Sequence, residues 1–254
     1  MQAARRLGEK IRSDSITTGI LVTFHLWQGL VEILRNAGYD YMIVDMEHGA
    51  HSDELVADVC ATGRLIEFPV IVRPISHEYP IIRRAIDLGP CGLLLPCVES
   101  AQVLDAVRES IYMPPRGKRR PGGPGNRWVK DYQYTTWRRE VEEPFIVMPQ
   151  IESNLGLKNV SAIAAHEITT AMAVGPYDLS ADLGLCWKPD HPRFVEAIDT
   201  IRSAALEAGK KMWMIGDAKT SVQRGFTFLC IGEPIAILEN VLSTMNREAK
   251  QPVE

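Results

Sequence analysis

Five ionisable side chains of types used in catalysis stand at the ends of short apolar runs in the sequence. Asp45 and His48 follow one run, Arg73 closes the next, and Glu152 and Asp178 come after two later runs. A charged group at the end of a buried apolar strand is costly unless it pairs with another charge or with a metal ion. We therefore expect these five side chains to meet at one site.

Glu152 and Asp178 are candidate ligands of a divalent cation. Two carboxylates leave room for water and substrate oxygens, which suits the octahedral oxygen shells of Mg²⁺ and Mn²⁺. Gln150 lies two residues before Glu152, on the same face of the predicted strand, where it can orient metal-bound water or substrate. The alternative is that the two carboxylates only cap the helices that follow them.

Asp45 and His48 can form an acid/base dyad, in which the carboxylate fixes the imidazole tautomer and raises its basicity. The alternative is a structural histidine. A zinc site that includes His51 is disfavoured, because no third nitrogen or sulfur ligand is near in the sequence.

Arg73 can hold a carboxylate or a developing enolate with its planar guanidinium. Its alternative role is an ion pair with Asp45 or Glu47.

Eight apolar runs that alternate with helix-like segments must position these residues. The runs are continuous, as in parallel strands covered on both faces, and they lie near Thr18–Phe24, Tyr41–Met46, Pro69–Arg73, Gly92–Pro96, Phe145–Glu152, Ala171–Gly175, Lys211–Ile215 and Thr227–Ile231. The pattern predicts a (β/α)8 barrel, whose catalytic groups lie at the C-terminal ends of its strands. A doubly wound sheet is disfavoured, because no Gly-x-Gly-x-x-Gly follows the first strand.

Proline and glycine mark several helix boundaries between these runs. Pro192 stands at the first position of a predicted helix. Gly38 and Gly89 each follow an apolar helical pattern and are expected to end it. These signals support the alternation of strands and helices.

Composition indicates a globular protein with a single domain. The chain has 254 residues and a net charge of −4, and the domain is predicted to span residues 1–254, with residues 1–15 as an N-terminal extension or helix. No apolar run approaches the about 20 residues of a membrane span, and no signal-peptide core follows the N-terminus. The five cysteines lack a Cys-x-x-Cys pair and are expected to be buried, reduced thiols. We expect a cytoplasmic protein that binds neither membranes nor nucleic acid.

Residues 113–144 form a long segment between the fourth and fifth predicted strands. Basic residues outnumber acidic ones there by 8 to 4, and the segment is rich in glycine and proline. Loops of this length are usually functional or disordered. We consider two alternatives, a basic loop at the barrel mouth that guides an anionic substrate and a flexible, solvated loop.

Four motifs together resemble the HpcH/HpaI aldolases, which are metal-dependent class II pyruvate aldolases. They are Asp45–Gly49, Val72–Pro74, Gln150–Glu152 and Gly175–Gly184, which occur in the family's order and spacing. The resemblance covers roughly residues 17 to 247. It implies a (β/α)8 barrel and adds roles for individual residues.

The resemblance assigns one role to each candidate residue. It implies that Glu152 and Asp178 bind Mg²⁺, Mn²⁺ or Co²⁺ and that Arg73 stabilises pyruvate and its enolate. His48 with Asp45 resembles the family's acid/base dyad. The residues that resemble the substrate-binding set, besides Arg73, are Gln150, Gly175, Pro176, Tyr177 and Asp178.

The implied reaction is the reversible aldol cleavage of a 4-hydroxy-2-oxo acid to pyruvate and an aldehyde through a metal-bound enolate. Relatives similar to macrophomate synthase and to a siderophore-type citrate synthase start from oxaloacetate, so a decarboxylase or synthase of that type is an alternative, and a basic loop would suit this more anionic donor. A third possibility is a non-catalytic metal-binding barrel.

The chain departs from the family at two positions. Many members have Ala or Asn where this chain has Tyr177, and the long loop usually has glycine where this chain has Arg120.

The resemblance also implies a homo-oligomer. Family members assemble as hexamers, arranged as trimers of dimers, and exchange their last helix with a neighbouring subunit. In this chain the exchanged helix would be Glu233–Ala249.

Overall fold

The eight apolar runs form eight parallel strands that close into a barrel in the computed structural model, which describes residues 1–120, 122–131 and 133–251. Each strand pairs with the next along the chain, and the last pairs with the first. The strands are β1 (Thr17–Val22), β2 (Tyr41–Asp45), β3 (Val70–Arg73), β4 (Gly92–Leu95), β5 (Ile146–Ile151), β6 (Met172–Val174), β7 (Met212–Ile215) and β8 (Phe228–Cys230). The predicted (β/α)8 barrel is confirmed.

Helices alternate with the strands around the outside of the barrel. The α-helices of the described residues are α1 (Gln2–Arg12), α2 (Leu30–Asn36), α3 (Asp53–Leu65), α4 (Tyr79–Asp87), α5 (Ala101–Ile111), α6 (Tyr134–Trp137), α7 (Asn154–Lys158), α8 (Val160–Ala165), α9 (Pro176–Asp182), α10 (Pro192–Glu207), α11 (Ala218–Gln223) and α12 (Pro234–Ala249). A 3₁₀ helix, Pro124–Trp128, and a π-helical turn, Arg138–Glu142, lie between α5 and β5. In the described part of the chain, no helix has both the length and the apolar character needed to cross a membrane.

Most strand residues are buried, because helices cover the outer face of the barrel and side chains fill its interior; β1 and β7 each contain two half-buried residues. Every residue of β2 and of β5 is buried, which is why these strands appear in the sequence as unbroken apolar runs. Each strand is shorter than its run by one or more residues. For example, β1 ends at Val22, and the side chain of Phe24 beyond it is 59% exposed.

The helix signals of the sequence are confirmed. Pro192 is the first residue of α10, where its missing N–H is not needed. Gly38 follows α2 with φ +85° and Gly89 follows α4 with φ +95°. Because a left-handed conformation is nearly free of strain only for glycine, these two residues can end their helices.

Two large side chains and one glycine fill the barrel interior near β1. The Tyr41 hydroxyl donates to the Leu229 carbonyl oxygen at 2.7 Å and accepts from the Trp213 indole N–H at 2.7 Å. Tyr41 packs so close to Gly19 that a Cβ on that residue would lie 2.1 Å from the ring. Gly19 therefore makes room for the tyrosine, and the hydrogen bonds satisfy both buried polar groups.

The described residues of the 113–144 segment lie at the end of the barrel away from the candidate site. The segment follows α5, and connections from a helix to the next strand lie at the N-terminal ends of the strands. The Glu140 and Arg139 carbonyl oxygens accept hydrogen bonds from the Met1 ammonium group and from Arg5, at the start of α1. The described part of this segment therefore does not lie at the mouth of its own barrel, as the first alternative had it.

The described residues of this segment include helical turns and a buried carboxylate, so they are not simply a flexible, solvated loop. The Glu142 carboxylate is buried and accepts hydrogen bonds from the Met113 backbone N–H at 2.8 Å and from Arg116 at 3.2 Å. Arg119 is buried 3.6 Å from Asp87, over the ring of Trp137, and burial lowers the pKa of its guanidinium to about 10. Arg116 and Arg119 thus help to pack the segment, whereas its other six basic side chains are exposed.

The cysteines divide into two groups. Cys60, Cys91 and Cys230 are buried free thiols, as predicted, and burial raises the pKa of Cys91 to about 11. Cys97 and Cys186 are exposed, so for them the expected burial is wrong. Cys97 follows β4 and Cys186 follows α9, both in loops where their φ angles are positive, and the sequence pattern did not distinguish these positions from the core.

Candidate active site

The ends of β2 and β3 hold a buried ion pair. Asp45 and Arg73 are register partners in these neighbouring strands. The Arg73 Nε–H donates to Asp45 Oδ1 at 2.9 Å, and Nη2 donates to Oδ2 at 2.6 Å. This two-point contact is the ion pair that the sequence left as the alternative role of Arg73, and it fixes the plane of the guanidinium.

The Asp45 carboxylate binds the Arg73 guanidinium rather than the imidazole of His48. Its carboxylate also accepts from the Thr23 hydroxyl at 2.8 Å and from the backbone N–H groups of Glu47 and His48 at 3.0 and 3.3 Å. Burial raises the pKa of Asp45, but the hydrogen bonds and charge of Arg73 outweigh it, so the pKa lies below its usual value. The predicted contact between the two side chains of the dyad is absent, because the oxygens of Asp45 face other donors.

The His48 side chain extends from the site into solvent. It is 60% exposed, and its Nε2 lies 3.8 Å from Glu47 Oε2, so it is not a structural core histidine. Glu47 also contacts Arg73 at 3.2 Å. Burial raises the pKa of Glu47, and the positive charge of Arg73 opposes this shift. Glu47 therefore stands between the histidine and the arginine.

Glu152 is a buried carboxylate at the end of β5. Its Oε2 accepts a hydrogen bond from the Cys97 backbone N–H at 2.7 Å. Its pKa is raised to about 7, first by burial and then by the negative charges of Glu47 and Asp178. The backbone of Gly175 approaches so closely that a Cβ there would lie 2.1 Å from Glu152 Oε1.

Asp178 lies in the first turn of α9, which follows β6 directly, and its side chain is exposed. The alternative that Glu152 caps a helix is wrong, because Ser153 caps α7 by accepting from the Gly156 backbone N–H. For α9, the N-cap residue is Gly175. Neither carboxylate occupies a cap position, so both remain available to a ligand.

Gln150 completes the oxygen donors on this side of the barrel. It is 3% exposed, and its Oε1 has no hydrogen-bond partner among the described residues. A buried carbonyl oxygen without a partner is costly unless a ligand satisfies it. Gln150 also precedes Glu152 by two residues on β5, so both side chains leave the same face of the strand.

These donors fit a hard divalent cation. Glu152 and Asp178 are carboxylates, Gln150 offers an amide oxygen, and the neighbouring negative charges raise the free energy of Glu152 in its charged form. A cation would relieve that repulsion. No group of three or more His, Cys, Asp or Glu side chains within the described ranges has the geometry of a metal site. A cation here would therefore have only two carboxylate ligands, Glu152 and Asp178, and the rest of its shell would be open.

Sequence reasoning missed three contributions to the site. Glu47 was considered only as an ion-pair partner, although its place two residues after Asp45 puts it on the same side of the chain. Cys97 contributes its backbone N–H to Glu152 from a residue with φ +51°, and no sequence signal marks this. Thr23, which donates to Asp45, follows β1 and could have been found as a polar residue at a strand end.

A parallel (β/α)8 barrel with carboxylates, an arginine and an exposed histidine at the C-terminal ends of its strands has the layout of a barrel enzyme. Residues 27–233 match the family model described as HpcH/HpaI aldolase/citrate lyase. The chain therefore belongs to the HpcH/HpaI aldolase family. The predicted family, and with it the enzyme class of aldolase-type carbon–carbon lyases, is confirmed.

Individual relatives agree with this assignment. The chain is 31% identical over 229 residues to a hydroxypyruvate/pyruvate aldolase of Chromohalobacter salexigens, which covers 85% of this chain and 87% of that protein. It is 26% identical over 239 residues to a 2-keto-3-deoxy-L-rhamnonate aldolase of Escherichia coli, covering 92% and 89%. The crystal structure of an HpcH/HpaI aldolase from Desulfitobacterium hafniense has a TM-score of 0.87 at 26% identity and covers 96% of each chain.

Proposed function

We propose that the chain catalyses the divalent-metal-dependent, reversible aldol cleavage of a 4-hydroxy-2-oxo acid to pyruvate and an aldehyde. The observation that carries this proposal is the position of Arg73, whose guanidinium is held by Asp45 and whose charge acts on Glu152. A fixed positive group beside the carboxylates suits the negative charge of an enolate. Relatives named as pyruvate and rhamnonate aldolases support the proposal.

In the proposed site, Glu152 and Asp178 hold the cation and Gln150 lies beside it. Mg²⁺, Mn²⁺ and Co²⁺ suit this set of oxygen donors. When bound, the cation supplies Lewis-acid polarisation of the substrate's keto group. The unpartnered Gln150 Oε1 and the raised pKa of Glu152 support this assignment.

The protein's own groups orient the substrate and hold its charge. Arg73 is proposed to stabilise the enolate of pyruvate with the N–H groups that Asp45 does not occupy, which makes Asp45 a positioning residue. The backbone from Gly175 through Pro176 and Tyr177 to Asp178 is proposed to receive the pyruvate carboxylate. Two fixed contacts on one substrate restrict its orientation before the bond breaks.

His48 is proposed to move the proton of the reaction. In cleavage it takes the proton of the C4 hydroxyl, directly or through water, as the C3–C4 bond breaks to give the aldehyde and the enolate. Glu47, 3.8 Å from the imidazole, is the carboxylate placed to orient it. The exposure of His48 supports this role, because its imidazole can exchange protons with solvent.

The structure gives no reason to prefer oxaloacetate over pyruvate as the donor. A basic loop at the barrel mouth favoured oxaloacetate, whereas the described residues of the 113–144 segment lie at the other end of this barrel, where Arg139 and Glu140 contact α1. The donor is decided by assaying pyruvate and oxaloacetate against the same aldehydes. We propose pyruvate as the physiological partner of the aldehyde.

We also propose that the chain forms a homo-oligomer, a hexamer built as a trimer of dimers, by exchanging α12. Five large apolar side chains of α12 are exposed in the single chain: Ile237, Leu238, Val241, Leu242 and Met245. They recur at helical spacing and so form one apolar stripe. Such a stripe on a long terminal helix is typical of a surface covered by another subunit.

The proposed function is tested by metal binding and activity measured together. Glu152→Gln and Asp178→Asn should each weaken Mn²⁺ binding, followed by electron paramagnetic resonance, by at least tenfold, because each removes one of two carboxylate ligands. Chelator should abolish aldol cleavage by the wild type, and added Mn²⁺ should restore it.

The matched control is Asp182→Asn, which removes a carboxylate from the C-terminal end of the same helix and should bind Mn²⁺ like the wild type. Full activity after thorough chelation would contradict the proposal. So would inactivation by borohydride in the presence of pyruvate, which is the behaviour of lysine Schiff-base aldolases.

A further inference from the structure

Two aromatic side chains form a stacked pair beside the proposed site. Tyr177 precedes the proposed ligand Asp178, and its ring lies on that of Trp187 with centroids 3.9 Å apart and an interplanar angle of 21°. Tyr177 is 63% exposed. One face of the tyrosine ring is therefore covered by tryptophan, whereas the rest of the ring is open to solvent or to a ligand.

Trp187 is held by an unusual backbone conformation, a backbone hydrogen bond and an aromatic contact. Cys186 and Trp187 have φ angles of +39° and +60°, a conformation that non-glycine residues seldom adopt. The Trp187 backbone N–H donates to the buried Ser180 Oγ at 2.7 Å. The indole also meets Phe194 of α10 edge-on, with centroids 6.2 Å apart. The hydrogen bond thus holds the backbone of Trp187, and Phe194 packs against the indole where it backs Tyr177.

The pair stands next to the position where the substrate must react. Gly175, two residues before Tyr177, lies against Glu152 Oε1, and Asp178 follows Tyr177 directly. The Asn154 backbone N–H donates to Asp182 at 2.6 Å and joins the start of α7 to the end of α9. The pair is thus carried by the first turn of α9 and by the loop that follows this helix, and its tyrosine is the residue next to the proposed ligand Asp178.

We propose that the Tyr177–Trp187 pair is a specificity determinant that favours aldehydes with a planar aromatic group. The inference rests on the proposed function and deepens it by naming the class of aldehyde. The open ring of Tyr177 offers a stacking partner to an aryl group, and Trp187 fixes the ring beforehand, which reduces the entropy lost on binding. Trp187 is accordingly a positioning residue that acts through Tyr177.

The reaction with an aryl aldehyde is an ordinary aldol addition. The methyl carbon of pyruvate loses a proton and forms a bond to the carbonyl carbon of benzaldehyde, and the resulting alkoxide takes up a proton. The product is a 4-hydroxy-2-oxo acid with a phenyl group on C4. Nothing is oxidised or reduced, so no further reactant is needed.

The test compares benzaldehyde with cyclohexanecarbaldehyde, which is similar in size but not aromatic, using pyruvate as the donor. The measured quantity is the ratio of the two kcat/KM values in each variant, divided by the wild-type ratio, so that the intrinsic reactivities of the aldehydes cancel. Tyr177→Ala should lower the ratio about tenfold, which corresponds to about 1.4 kcal/mol. Trp187→Ala should lower it about threefold, because the tyrosine ring remains but loses its support.

Two variants serve as controls. Tyr177→Phe keeps the ring and should retain the wild-type ratio within about twofold. Leu155→Ala removes another exposed apolar side chain at the mouth, on α7, and should also leave the ratio unchanged. Size-exclusion chromatography with light scattering reports the oligomeric state of every variant.

The products formed by the wild type test the proposed function, and the ratio measured in Tyr177→Ala tests the stacking of the aldehyde. If the wild type forms aldol products but Tyr177→Ala keeps the wild-type ratio, the inference is overturned and the proposed function stands. A changed oligomeric state with an unchanged ratio also overturns it, because the pair is then a subunit contact. If the wild type forms no aldol product from pyruvate with benzaldehyde, cyclohexanecarbaldehyde or glycolaldehyde, both fail.

Discussion

Asp45 and Arg73 depend on each other because both are charged and both are buried. The side chain of Asp45 is fully buried and that of Arg73 is 7% exposed. Replacing one partner of such a pair leaves the other charge without compensation, which typically costs about 3–5 kcal/mol. Glu47, which also contacts Arg73 at 3.2 Å, reduces that cost for the arginine. The pair therefore links the stability of the barrel to the position of Arg73, the group proposed to stabilise the enolate.

This link predicts how stability depends on pH. Because the pKa of Asp45 is lower in the folded protein than its usual value, its contribution to stability is present above the usual pKa of about 3.9 and is lost as the pH falls below it. Asp45→Asn should therefore lower the free energy of unfolding at pH 7, and the difference from the wild type should shrink below pH 4. Urea unfolding of both proteins between pH 7 and 3.5 measures this, and a constant difference would contradict it.

His48 can be altered with little effect on the fold because its side chain is largely exposed. If it moves the C4 hydroxyl proton, His48→Ala should slow aldol cleavage by about 10²–10⁴-fold. Decarboxylation of oxaloacetate yields the same enolate without deprotonating that hydroxyl and should be slowed much less. The free energy of unfolding should change by no more than about 0.5 kcal/mol. Equal losses in the two reactions would remove His48 from the proposed role.

At the scale of elements, the ends of β5 and β6 bring the proposed metal ligands together. Glu152 leaves β5, and Gly175 separates β6 from α9, which carries Asp178. The short turn works because Gly175 has no Cβ, so its backbone can lie against the carboxylate of Glu152. The φ angle of Gly175 is −96°, an ordinary value for any residue. Close approach, rather than backbone conformation, is therefore the reason for glycine.

Substitution of this glycine tests the packing of the two elements. In Gly175→Ala the new methyl group would lie 2.1 Å from Glu152 Oε1, so the carboxylate must move. We expect at least a tenfold loss of Mn²⁺ affinity, measured by electron paramagnetic resonance. Gly29→Ala is the control, because its Cβ would meet only Trp27, at 3.6 Å. Unchanged Mn²⁺ binding in Gly175→Ala would show that Glu152 is not a ligand.

At the scale of the whole molecule, the barrel has a filled interior, and the candidate site lies at only one of its two ends. The C-terminal ends of the strands carry the candidate site, whereas at the other end α1 contacts Arg139 and Glu140 of the segment between α5 and β5. The last helix, α12, differs from the other long helices because, among its described residues, only Pro234 is buried. Its apolar stripe is the part of the chain that a single barrel does not cover.

The proposed exchange of α12 predicts that a charge on the stripe breaks the assembly. Val241→Glu should shift the protein to a smaller species in size-exclusion chromatography with light scattering, because a buried unpaired carboxylate is costly. Ser243→Glu places the same charge on the opposite face of the helix and should leave the mass unchanged. A wild-type mass for Val241→Glu, or a monomeric wild type, would contradict the proposal.

The fold and the members of the site follow from local features of the sequence. Continuous apolar runs predict buried parallel strands wherever they occur, and Pro192, Gly38 and Gly89 mark helix ends through their own backbone preferences. Because all strand ends of a parallel barrel meet at one edge, the polar residues that follow them can be grouped without knowing their contacts. This is why Arg73, Glu152 and their neighbours could be named from the sequence.

The partners of those residues were decided by tertiary structure. Asp45 meets Arg73 because β2 and β3 pair in that register, and a buried guanidinium attracts the nearest carboxylate more strongly than an exposed imidazole does. The backbone N–H of Cys97 and the approach of Gly175 to Glu152 likewise join segments far apart in the sequence. The place of residues 113–144 depends on which end of the barrel the chain has reached after α5. Such pairings depend on distances between elements, which residue types and local spacing do not encode.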